Sequence, residues 1–146
     1  MTAIGSDHAG FEYKEKLKKL LEELGEPYHD FGTMSNASVD YPDYAHAVAE
    51  SVSNGTYPRG ILICGTGIGV SIVANKHKGV RAAVSESVAS TLLARQHNDA
   101  NILCFGERIT PWETAVEMVK AFLSTPFEGG ERHTRRVEKI HSLTNC

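Results

Sequence analysis

The chain has 146 residues, enough for one domain with one hydrophobic core and short for a cofactor domain plus a substrate domain. Hydrophobic residues make up 41% and charged residues 23%, which excludes a disordered or fibrous chain, and a net charge of −3 carries no basic bias toward nucleic acid or an anionic membrane surface. Cys64, Cys104 and Cys146 are odd in number and lack a Cys-x-x-Cys spacing, so neither a disulfide framework nor a thiolate zinc site is expected. The first residues show no basic-then-apolar leader and no run is long enough to span a bilayer, so the expected home is the reducing cytoplasm.

In chain order, Ala3-Ile4-Gly5 reads as a first strand, and Leu17, Leu20, Leu21 and Leu24 give helical spacing that ends at Gly25. Tyr28 to Phe31 reads as a second strand, followed by a loop containing Gly32, Ser35, Asn36 and Ser38. Pro42 is expected as a first helical residue, with Ala45, Val48 and Val52 on the inner face of that helix. Ile61-Leu62-Ile63-Cys64 is apolar on both faces, the pattern of a strand in a covered parallel sheet. A glycine-rich turn leads to a helix over 70–76, then come a fourth strand over 80–84, a helix marked by Val88, Leu92 and Leu93, and a fifth strand over 102–105. Thr110-Pro111-Trp112-Glu113 predicts a capped helix start with a capping-box glutamate. A last, charged helix of about 130–144 follows the Gly129-Gly130 break. Fivefold strand–helix alternation predicts an α/β, Rossmann-like domain, an open five-stranded parallel sheet with helices on both faces. Ligands of such sheets bind beyond the carboxyl ends of the strands. That singles out Ser6-Asp7-His8, 64–69 and 106–110.

Cys64-Gly65-Thr66-Gly67-Ile68-Gly69 closes a buried strand and opens a helix. Glycines there expose backbone N–H groups, and the helix start adds partial positive charge, which makes an anion hole and favours the thiolate of a cysteine placed in it. A buried structural cysteine beside a tight turn is the plainer alternative. A phosphatase loop is excluded because Val70 stands where its arginine belongs, and no Gly-Lys-Ser/Thr closes a P-loop. A dinucleotide fingerprint is weakened, since Gly65 and Gly67 fit but Val70 replaces the third glycine; Glu86 keeps that reading open. Asp7 and His8 follow the first strand into the same crevice, where they suit sugar hydroxyls or proton transfer, unless Asp7 only caps a helix. Asp40 reads as a cap, and Tyr41 beside it as a pocket wall. His97-Asn98-Asp99-Ala100-Asn101 precedes the fifth strand, at the amino end of the sheet, so a catalytic His97 would have to serve a neighbouring subunit. Arg132 and Arg136 share one helix face and suit a phosphate, although Glu131 and Glu138 offer them partners on a solvated helix.

Together these segments resemble the type B ribose-5-phosphate isomerases, in the wider group that includes galactose-6-phosphate isomerase subunits. The resemblance rests on Gly5-Ser6-Asp7-His8-Ala9-Gly10, Asp30-Phe31-Gly32-Thr33, Val39-Asp40-Tyr41-Pro42, Ile63 through Gly69, Ala74-Asn75-Lys76, Gly79 through Ala83, His97 through Asn101, and Phe127-Glu128-Gly129-Gly130, which span nearly the whole chain. It implies an aldose–ketose isomerase needing neither cofactor nor metal, interconverting ribose 5-phosphate and ribulose 5-phosphate. It also implies a homodimer, with a tetramer as the larger alternative, whose active sites are shared across the interface and reached by the C-terminal helix. Carried over, Cys64 is the proton acceptor, Gly65, Gly67, Ile68 and Gly69 the anion hole, and Asp7, His8 and Tyr41 substrate contacts. His97 is the ring-opening acid, assisted by Thr66, while Asn98, Arg108, Arg132 and Arg136 are further substrate or phosphate contacts. One departure stands out: the family's tail runs Gly-Gly-Arg-His, and here Glu131 intervenes before Arg132. The competing readings are an isomerase of galactose or allose 6-phosphate, a non-catalytic phosphate- or nucleotide-binding module, and a redox sensor built on Cys64.

Overall fold

Residues 59–64 alternate their side chains between two apolar layers, and the whole architecture follows from that. In the computed structural model, which describes residues 1–146, this strand is β3 (Arg59–Cys64) at the centre of a five-stranded sheet. It pairs in parallel with β1 (Thr2–Ser6) and β5 (Ile102–Gly106); β2 (Tyr28–Asp30) and β4 (Ala82–Val84) are the edges, giving the order β2-β1-β3-β5-β4. The register sets Ile61 beside Ile4 and Leu103, so inward residues of neighbouring strands fall in common layers.

Odd-numbered β3 residues Ile61 and Ile63 join Ile4, Leu103 and Phe105 against Leu17, Leu20 and Leu21 of α1 (Phe11–Glu23) and Ala115, Met118, Val119 and Phe122 of α5 (Trp112–Ser124). Leu62 and Cys64 join Ala3, Ile102 and Cys104 on the other face, under Ala45, Val48, Ala49 and Val52 of α2 (Tyr41–Ser53) and Val70 and Ala74 of α3 (Ile68–Ala74). The predicted parallel sheet with helices on both faces is therefore the observed one. Helix α4 (Val88–Asn98) packs beside α5, and the C-terminal α6 (Gly130–Thr144) buries none of its own residues.

Several local expectations are corrected. Pro42 is the second residue of α2, not the first, because Tyr41 already has helical geometry. Helix α3 starts at Ile68 rather than Val70: Gly67 turns the chain at φ 81°, and the Ile68 amide is taken up by Thr66 Oγ1 at 3.2 Å. Strand β4 is shorter than predicted. As an edge it has one strand neighbour, and the Asn75 side chain takes its outer hydrogen bonds, accepting from Ala82 N–H at 2.8 Å and donating to Ala82 O at 2.9 Å. The capping box at residues 110–113 does not form. Helix α5 begins at Trp112 without a side-chain cap; Thr110 Oγ1 is buried with no partner, and Thr110 O accepts from Tyr13 Oη at 2.8 Å. Asp40 sits at the cap position of α2 but makes no capping bond.

Candidate active site

The carboxyl ends of β1, β3 and β5 open into one cavity of about 280 Å3, lined by Asp7, His8, Ala9, Tyr41, Cys64, Gly65, Thr66, Gly69 and Arg108. That is the size of a small ligand. At its floor the Gly67 N–H donates to Cys64 Sγ at 3.1 Å, which stabilises negative charge on the sulfur. The first-turn amides of α3 have no helical partner of their own and face the same end of the sheet. Gly67 is required sterically as well as conformationally: a Cβ there would lie 2.8 Å from the Phe105 backbone.

The loop after β5 is tied to the glycine loop by two backbone bonds, Glu107 N–H to Cys64 O at 2.9 Å and Arg108 N–H to Gly65 O at 3.0 Å. This lays the Arg108 guanidinium over Gly65, where a β carbon would stand 3.1 Å from Nη1. Arg108 has no carboxylate partner in the chain, so its charge is available to an anion. Tyr41, at the start of α2, covers Gly69 in the same way.

Asp7 caps the 3-10 turn His8–Gly10 through Oδ1, which accepts from Gly10 N–H at 3.1 Å; Oδ2 makes no bond within the chain. Capping and ligand contact thus use different oxygens. Val39 N–H donates to His8 Nδ1 at 3.1 Å, which orients the ring and leaves Nε2 as its N–H donor. Sequence reasoning missed Ala9 as a wall and Val39 as the group that orients His8; the partners are 31 residues apart, and no local pattern joins them.

His97, Asn98, Arg132 and Arg136 do not line this cavity. His97 and Asn98 end α4 at the amino side of the sheet, and Asn98 borders a separate surface hollow with Arg81 and Ile140. Gly67 and Ile68 are not lining residues either; they form the turn into α3. His97 stacks on His133 of α6, centroids 4.4 Å apart and planes 9° from parallel, with Glu128 Oε2 at 4.0 Å from one Nε2 and 3.8 Å from the other. Burial lowers the His133 pKa, and His97, Arg132 and Arg136 add to that against the opposing Glu128 charge. Nearly parallel rings keep the two Nε2 lone pairs from converging, so this trio is a poor metal cage as it stands. Arg132 and Arg136 are exposed and pair with neither Glu131 nor Glu138, so the helix is solvated without those ion pairs.

Comparison with known proteins decides the family. Residues 2–140 match the family described as Ribose/Galactose Isomerase. The chain belongs to the ribose/galactose isomerase family. It is 48% identical over 141 residues to ribose-5-phosphate isomerase B of Escherichia coli K12, covering 97% of this chain and 94% of that protein. Its fold superposes with TM-score 0.96 on a ribose-5-phosphate isomerase B of Clostridium thermocellum, at 46% identity and covering 99% and 97% of the two chains. A third relative is the Mycoplasma genitalium enzyme solved with bound ribulose-5-phosphate, with TM-score 0.93, 41% identity, and 99% and 95% of the chains covered. No helix of this family member is long and apolar enough to cross a membrane.

Proposed function

We propose that this family member interconverts ribose 5-phosphate and ribulose 5-phosphate, with Cys64 as the base. The observation that carries the reading is the Cys64 sulfur, held at the head of a glycine loop, accepting the Gly67 amide, and facing Asp7, His8 and Arg108 across a small cavity. The named relatives supply the substrate.

The chemistry follows from those positions. With the sugar open, the Cys64 thiolate takes the proton from C2 and becomes a thiol. The electron pair moves onto the carbonyl, and an enediolate forms. The loop amides stabilise its oxyanion; losing one such donor costs about 2.7–4 kcal/mol of barrier in comparable sites. The thiol then returns the proton to C1 while the O2 proton passes to O1, which leaves the ketose and regenerates the thiolate. Opening a furanose needs an acid at the ring oxygen, the role assigned to His97 with Thr66 assisting. Asn98 contacts the sugar, and Arg108, Arg132 and Arg136 bind its phosphate.

His97 and Cys64 lie at opposite ends of their own sheet, so this assignment requires a second copy. What supports a dimer is apolar surface left exposed on α3 and α4. Ile68 and Ile72, four apart on α3, are 53% and 57% exposed, and Leu93 of α4 is 49% exposed. Helix α6, with Leu143 80% exposed, is the segment that reaches the partner in this reading of a single 146-residue domain. The test is conversion of ribose 5-phosphate by the purified protein, beside galactose and allose 6-phosphates and a Cys64→Ala control. Pentose conversion lost in the control is expected. A folded protein that converts none of the three sugars overturns the reading.

A further inference from the structure

We propose that a second cavity, at the amino ends of β3, β4 and β5, is an anion site for a phosphate group, distinct from the Cys64 cavity. It has a volume of about 290 Å3, and its walls include Arg59, Arg81, Arg95, Asp99, Asn101 and Phe122. Strand β3 runs from Arg59 in this cavity to Cys64 in the other, so at ~3.3 Å per residue the two sites lie roughly 17 Å apart through the sheet.

Three arginines and one carboxylate, Asp99, line this cavity, and a second carboxylate, Glu26, pairs with Arg59 from outside it. The arginine side chains are 29%, 17% and 17% exposed for Arg59, Arg81 and Arg95, so water screens the excess charge only in part. Each guanidinium has five N–H donors, and structural duty accounts for only some of them. Arg95 gives Nε to Thr125 O at 3.0 Å and Nη1 to Asp99 Oδ1 and Ala100 O at 2.8 and 2.7 Å; Nη2 donates to nothing in the chain. Arg81 spends Nε on the carbonyls of Asn98 and Asp99 and Nη1 on Gly79 O and His141, while its Nη2 meets only Asp99 Oδ2, at 3.4 Å. Arg59 donates Nε to Thr2 Oγ1 at 3.3 Å, Nη1 to Leu123 O at 3.0 Å and Nη2 to Glu26 Oε1 at 2.7 Å, which leaves one hydrogen on each Nη.

A purely structural role, tying down the carbonyls after α4 and α5, explains the first set of bonds and leaves the spare donors unexplained. Several planar donors lining one small cavity suit a tetrahedral oxyanion. Burial lowers the Arg81 pKa; Asp99 opposes this and Arg95 reinforces it, so an added anion relieves a standing repulsion. Because Arg81 and Arg95 also hold the chain at Asn98, Asp99 and Ala100, occupancy reaches the segment that carries His97. Any effect on turnover therefore rests on the role proposed for His97, whereas binding does not.

Inorganic phosphate is titrated at constant ionic strength into wild-type protein and Arg136→Ala, with the arginine Nε–H signals followed by NMR. Saturable shifts at Arg59, Arg81 and Arg95 in both proteins are expected, with chloride producing none. Arg95→Gln is expected to weaken this response at least tenfold while backbone amides of 65–69 still respond. Arg59→Gln, which leaves the Arg81 and Arg95 clamps intact, gives the same comparison if Arg95→Gln does not fold. Glycerol 3-phosphate in a parallel titration distinguishes a phosphomonoester, which binds tighter than inorganic phosphate, from the free ion. Shifts that stay linear and match chloride, or saturable shifts confined to 65–69, overturn the proposal whatever the protein does to ribose 5-phosphate.

Discussion

The ring of Tyr41 stands so close over Gly69 that a β carbon on residue 69 would lie 2.6 Å from Tyr41 Cε1. Two helix starts remote in sequence are thereby fitted edge to edge at the mouth of the Cys64 cavity. Gly69→Ala is expected to push the ring aside. Since Tyr41 is 40% exposed, the ring has room to move, and stability should fall by less than about 1 kcal/mol. The cavity wall moves, though, and kcat/KM for ribose 5-phosphate should drop about tenfold. Tyr41→Ala should give a comparable loss, and Gly69→Ala should add little on that background, because both act through one ring. Additive losses would show that Gly69 acts through the loop amides instead.

The separation of His97 from Cys64 within a chain makes complementation the decisive test of a shared site. Cys64→Ala and His97→Ala proteins should each be nearly inactive. In a two-fold dimer mixed from both, one site joins the intact Cys64 of one subunit with the intact His97 of the other. Random exchange should then restore about a quarter of wild-type activity, since half the dimers are mixed and each has one complete site. Absence of recovery after exchange is verified by mass spectrometry would overturn a site shared between subunits.

Much of this was readable from the letters. The run Ile61–Cys64 is apolar on both faces because β3 is covered by helices on both, and the glycines after Cys64 mark the strand-to-helix turn that builds the cavity floor. Strand direction alone separated His97 from Cys64. What stayed hidden depends on partners far away in sequence. Thr110 had every local feature of a cap, yet its loop is claimed by α1: Tyr13 N–H donates to Glu107 Oε1 at 2.9 Å and Tyr13 Oη to Thr110 O. The extent of β4 depends on Asn75, and the tautomer of His8 on Val39. The stacking of His133 on His97 joins two helices that no periodicity relates.

The first strands are pinned by Glu26, whose carboxylate accepts from Arg59 Nη2 at 2.7 Å and Thr2 Oγ1 at 2.9 Å. Burial pushes its pKa up, but the Arg59 and Thr2 hydrogen bonds, with the Arg59 and N-terminal charges, outweigh burial and hold it below the ordinary value of 4.5. A carboxyl depressed in the folded state stabilises fully above its unfolded pKa and loses that contribution as pH falls through the folded one. Glu26→Gln should therefore cost about 1 kcal/mol at pH 7, and the gap to wild type should close as the pH is lowered below 4.5. Urea titrations from pH 7 to pH 3 measure this. A gap that stays constant with pH would assign the loss to packing rather than charge.

Arg132 and Arg136 lie one turn apart on α6, exposed and without carboxylate partners of their own. The extra Glu131 does not spoil this pair. Helix α6 begins at Gly130, so Glu131 falls inside its first turn, where a negative side chain complements the helix dipole, and the spacing from 132 to 136 is untouched. Arg136→Ala should raise KM for ribose 5-phosphate by about tenfold or more and lower kcat by less, because phosphate is held alike in the ground and transition states. Arg136→Lys should recover part of the KM, since it restores the charge without the bidentate fork. A substrate series separates this from general damage. With unphosphorylated ribose the Arg136→Ala and wild-type proteins should converge, because the group that Arg136 grips is missing. A loss that persists with ribose would mean that Arg136 supports the architecture of the site and not its phosphate.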